Sequence, residues 1–265
     1  MTSDNVWECK RTLQACSQLL AVCEELRRGD ACEHFGSLVG LLAPLTCDPM
    51  PTSRQLAVTC LSSLLRIQAK VANGVIETGD MGSLCEGLHA CSTVSQLQTS
   101  SKIARIVCRD FPLEHTVDFM MALKETFWRA KGMCVCAAGK WMITFLQMYG
   151  KDVCQDVPTI LHILYSCTSC MQQSTFMPFL CQAVVILICC HEEVTIDNFS
   201  RLLGPTDRYC HSCLCCCYGH ICSLSLPEGS RQEAAFPFSS QSLFEVKITQ
   251  SQLETFFFLV RHGGE

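Results

Sequence analysis

The residues most able to do chemistry are crowded into one stretch, "YCHSCLCCCYGHIC" at 209–222, which holds six cysteines and two histidines. The chemistry they suggest is zinc binding. Cys210 and Cys213 form a C-x-x-C knuckle, and His220 with Cys222 could supply the remaining two donors of a tetrahedral site. The spacing argues against it. Structural zinc sites use two well-separated ligand pairs with a foldable loop between them. Here His220 follows Cys213 closely, with Cys215, Cys216 and Cys217 in between. The donors suffice for opportunistic binding but define no scaffold. S-acylation of clustered cysteines beside apolar residues is a second reading. An irregular tail not shaped by a fold is the third, and the one preferred.

Other reactive patterns are sparse. The chain has no G-x-G-x-x-G, no P-loop and no G-x-S-x-G. "HEEVT" at 191–195 lacks the second histidine of a zincin. "RHG" at 261–263 is similar to the histidine phosphatase motif, but that motif needs a whole α/β domain after it. His34, His89, His115 and His162 fall on separate helical segments without an acidic partner at dyad spacing. No catalytic residues and no cofactor are therefore expected, and Trp7, Trp128 and Trp141 read as packing residues.

Composition narrows the class further. Of 265 residues, 49% are hydrophobic and 17% charged, which excludes a disordered tail protein. A net charge of −5 gives no reason to expect nucleic acid. The start "MTSDNVWECK" lacks a basic n-region before an apolar core, so a cytoplasmic location is expected. The apolar run at 176–190 is too short for a comfortable span, and no membrane span is expected. The 23 cysteines then read mostly as small hydrophobes; Cys9, Cys16 and Cys23 recur along one helix face.

The elements that position these residues are helical. From residue 4 to about 203, apolar stretches of helical period alternate with short breaks, without sustained alternation or hairpin turns. About ten helices result, the last expected over "IDNFSRLL". Each is apolar on one wide stripe, so stacking antiparallel pairs is the way to bury it. The expected organisation is an all-α solenoid over residues 1–203, followed by a non-repeat, largely irregular tail at 204–265.

One stretch carries the repeat signal most clearly. "LVGLLAPLTCDPMPTSRQLAVTCLSSLL" at 38–65 looks like a HEAT repeat unit. Pro44 lies on its first helix, Asp48 in the turn, and Arg54, Ala57 and Leu61 on its second. Pro44 can bend the first helix, Asp48 and Arg54 carry charges able to pair between units, and Ala57 permits close approach. Segments 117–146 and 157–187 repeat the scheme, with Cys136 where the first unit has Arg54.

The order of segments and the phrase "AAGKWMITFLQMYGKDVCQDVP" resemble the maestro heat-like repeat-containing family. The resemblance covers residues 1–203. It implies an α-solenoid that binds other proteins, without catalytic residues, and a short form or fragment beside usually longer members. The expected working surface is the exposed side of the second helices, with Arg54, Gln55, Arg66, Lys140 and Gln147 as candidates. Self-association through an uncapped solenoid end is also expected.

Overall fold

A computed structural model describes residues 3–25, 32–71, 92–168 and 173–202. Among the described residues all regular structure is helical, with no strand. The helices are α1 (Ser3–Glu25), α2 (Phe35–Leu42), α3 (Pro51–Val71), α4 (Thr93–Cys108) and α5 (Thr116–Arg129). Then come α6 (Met133–Tyr149), α7 (Val157–Ser166), α8 (Gln173–Cys190) and α9 (Glu192–Leu202). Short 3₁₀ turns occupy Ala43–Cys47, Leu113–His115 and Cys154–Asp156.

The proline-marked turn explains itself residue by residue. Pro44 has no amide hydrogen to donate, and the chain leaves α geometry at Ala43 for the tighter 3₁₀ turn. Asp48 is extended, ψ 143°, as steric conflict with the following proline demands. Its Oδ1 accepts from the Met50 amide at 2.8 Å, a side-chain closure of the turn. Pro51 then opens α3, where a missing amide hydrogen costs nothing. At the α5–α6 turn, Gly132 takes φ +61°, which a side chain would strain.

Two rows of helices result. In the first row α2 packs on α5, α5 on α7 and α7 on α9; in the second, α4 packs on α6 and α6 on α8. The α5/α6 and α7/α8 pairs join the rows, and α3 packs on α2 with α1 behind it. This is an α-solenoid of helix pairs, and the units read at 38–65, 117–146 and 157–187 fall on α2/α3, α5/α6 and α7/α8. Neighbours within the first row run parallel: Gly36 backs onto His115, and Gly40 onto Phe119 and Ala122.

One apolar seam runs between the rows, from Leu13 on α1 to Ile188 on α8. Its centre is aromatic. Phe111 lies 5.5 Å from Phe35, 5.3 Å from Phe119 and 5.1 Å from Phe145 between ring centroids, at tilted or edge-on angles that suit ring quadrupoles. Phe127 and Phe176 form a second pair at 4.4 Å, joining α5 to α8.

Two expectations are corrected. Trp128 is not a packing residue: it is 42% exposed on α5, whereas Trp141 is fully buried. The last helix begins at Glu192, earlier than its apolar pattern suggested. Glu192 and Glu193 suit the positive end of a helix dipole, and the Thr195 hydroxyl donates to the Leu187 carbonyl at 3.1 Å. The Trp7 side chain and the tail at 204–265 lie outside what is described.

Candidate functional site

The site the structure offers is a surface, and its polar residues are placed by the second helices. Of the expected ridge residues, Gln55 is exposed, while Lys140 and Gln147 are half-buried on α6. Arg66 lies half-exposed with Nε 2.9 Å from Glu24 Oε1, a contact of charge without hydrogen-bond alignment. Lys70 Nζ donates to the Glu24 carbonyl at 2.6 Å, so these two cations serve to hold α1 against α3.

Arg54 does not belong to the ridge. It is 4% exposed, and its Nη1 donates to the carbonyls of Asp48 at 2.7 Å and Pro49 at 3.1 Å. Those bonds fasten the turn of its own unit. Carbonyls just before a helix are left without intrahelical donors, and the guanidinium supplies them. Ala57 and Leu61 are fully buried, and Pro44 is buried with Ala43, Thr46 and Cys47 of its 3₁₀ turn.

Sequence reasoning expected the helix α4 but placed no candidate surface residue on it. Its outward stripe carries Val94, Gln98, Lys102 and Arg105, all exposed, and Arg109 stands exposed just after it. The helix lies beside α6 in parallel register. Trp141 Nε1 donates to Ser100 Oγ at 3.0 Å, and Tyr149 Oη donates to the Arg109 carbonyl at 2.8 Å. The available signal was the absence of any Asp or Glu from Thr93–Cys108.

The thiols are core groups by their electrostatics. Burial pushes Cys108 and Cys134 up to about 12, the latter also through the nearby Asp48 and other cysteines. Cys60 rises to about 12 through burial and then its neighbour Cys16. Cys189 rises to about 11 through burial. A thiolate is the nucleophile and the metal ligand, so these sites hold the unreactive form at neutral pH. Among the described residues no group of three or more His, Cys, Asp or Glu is arranged to hold a metal ion. Cys210, Cys213, His220 and Cys222 lie outside the described residues, as does His89.

His34 and His115 precede α2 and α5, His162 is exposed on α7, and His191 Nε2 lies 2.7 Å from the Gly150 carbonyl. Among the described residues no helix is long and apolar enough to cross a membrane.

Comparison with known proteins agrees with this architecture. The family described as Maestro, HEAT repeats matches residues 7–214. The chain is similar to Maestro heat-like repeat-containing protein family member 2A of Homo sapiens, 26% identical over 217 residues, covering 78% of this chain and 13% of that protein. It is similar to family member 1 of Mus musculus, 26% identical over 186 residues, covering 68% of this chain and 11% of that protein. The chain thus spans a small part of the length of the curated relatives it matches. No solved structure matches it. With two rows of paired helices on one seam and a match across most of its length, the chain belongs to the Maestro HEAT-repeat family.

Proposed function

We propose that this chain is a non-enzymatic scaffold that binds partner proteins along its helical-repeat surface. One observation carries the reading. Stacking leaves an outward face along a row, where Gln98, Lys102 and Arg105 stand exposed on α4 beside the half-buried Lys140 and Gln147 of α6, over an aromatic core. Repeat stacks build extended binding surfaces in this way. Among the described residues, the buried thiols and the histidines supply no acid, base and nucleophile converging on one point. Cross-linking of the tagged full chain in cells, followed by mass spectrometry, tests the reading. It expects a reproducible set of partners whose cross-links map to the second helices; recovery no greater than control counts against it.

The same reading includes association between copies through α1. Leu19 and Val22 are 67% and 51% exposed there, on a helix whose other face packs on α3. Sedimentation showing a monomer at all concentrations contradicts that part alone.

A further inference from the structure

The two helical rows differ in charge. Helices α4, α6 and α8 contain Lys102, Arg105 and Lys140 and not one Asp or Glu. The opposite row carries Asp118, Glu125, Glu192, Glu193 and Asp197 against Lys124, Arg129 and Arg201. Within that row the ions pair locally, Arg129 with Glu125 at 3.0 Å and Arg201 with Asp197 at 2.8 Å. Among the described residues Lys102 and Arg105 have no such partner. In a chain of net charge −5, an acid-free row is a directed asymmetry. Asp110 and Asp152 bound it at the C-terminal ends of α4 and α6.

From this we infer that the outward face of α4, flanked by that of α6, docks an extended acidic segment of a partner protein. The inference rests on the scaffold reading and names the surface and the chemistry recognised. Lys102, Arg105 and Arg109 fall on one stripe of the helix, separated by roughly 4.5 and 6 Å along its axis. Alternate residues of an extended chain repeat about every 6.6 Å, so acidic side chains at alternate positions meet successive cations. Lys140 and Gln147 line the adjoining edge on α6, and Val94 with Met148 adds exposed apolar contact. Such a mixture suits a peptide. A nucleic acid backbone, with one charge per ~1.7 Å of duplex, demands denser cations than this row holds.

The test uses the full chain and a fluorescein-labelled peptide with Glu at alternate positions and Ser or Leu between. Fluorescence anisotropy is expected to show binding that weakens with salt and disappears when Gln replaces Glu. The exposed double variant Lys102→Glu/Arg105→Glu is expected to weaken binding by roughly tenfold. The control Lys124→Glu/Arg129→Glu, on the opposite row, is expected to leave it within about twofold. Circular dichroism checks that both variants keep their helices, and single Lys102→Gln is expected to fall between wild type and double variant. Equal binding of the Gln peptide, an unaffected double variant, or tighter binding of single-stranded DNA overturns the inference. Partners cross-linked equally by wild type and double variant also overturn it while leaving the scaffold reading intact. Capture of no partner at all defeats the scaffold reading itself.

Discussion

Trp141 and Ser100 are joined by a buried hydrogen bond of 3.0 Å that begins a relay across three elements. Ser100 Oγ lies 2.6 Å from Thr46 Oγ1, which donates to the Ala43 carbonyl at 2.6 Å. Since Thr46 spends its hydrogen on Ala43, Ser100 donates to Thr46 and accepts from the indole. Ser100→Ala leaves the indole N–H of a fully buried residue without this acceptor. Stability is expected to fall by about 1–3 kcal/mol, read as a lower urea midpoint. An equally stable Ser100→Ala variant contradicts the relay.

Gly40 sets the separation of α2 and α5. A Cβ there would sit 2.6 Å from the Ala122 Cβ and 2.8 Å from the Phe119 carbonyl oxygen, and a backbone atom cannot turn aside. Helix propensity alone makes Gly→Ala favourable by roughly 0.5–1 kcal/mol. The expected outcome has the opposite sign, a loss of about 1–3 kcal/mol from overpacking. Thermal melts of Gly40→Ala decide between them.

Arg54 acts as a turn clamp. Arg54→Ala is expected to cost about 1.5–3 kcal/mol, since both bonds involve a charged donor. Arg54→Lys restores charge but not the planar fork, so partial recovery is expected. Full recovery by lysine would mean that charge alone matters.

Stability is expected to decline in alkali. Cys60, Cys108 and Cys134 have folded-state values near 12, above the ordinary 9.0 of an exposed thiol. Below pH 9 both states hold the proton and the stabilisation is complete. Between 9 and 12 the unfolded chain binds fewer protons, so stability falls as pH rises. Urea midpoints at pH 8 and pH 10.5 check the sign; a higher midpoint at pH 10.5 refutes it.

Thiol labelling should follow burial. Cys23 and Cys154 are exposed, whereas Cys47, Cys60, Cys108 and Cys167 are buried. Brief iodoacetamide treatment of the native chain, read by peptide mass spectrometry, is expected to modify the first pair and spare the others until urea is added. Rapid native labelling of Cys108 would contradict its placement.

Much of this was legible because helical period and proline are local signals. The pairs α5/α6 and α7/α8, a departure from α geometry at Pro44 and the buried Ala57 all follow from patterns within a few residues. What escaped depended on partners far away in sequence. Arg54 carries a charge and so read as surface, but its hydrogen-bond partners in the turn take it inside. Trp128 is large and apolar and so read as core, yet it falls on the outward face of α5. The α4 surface was missed because its acid-free sequence gains meaning only once the rows are known. The cysteine-rich segment stays as its spacing left it, donors without a described frame.

Helix α2 rests directly on α5, although the chain between them leaves to build α3 and α4 before returning. The entropy of closing such an excursion grows only logarithmically, about 0.6 kcal/mol for each doubling of length. Length changes in the connection between α3 and α4 therefore add little closure cost, provided both helices and the contact at Gly36 and Gly40 survive. The order of the first row is thus held by the contact of α2 with α5 and not by their nearness along the chain.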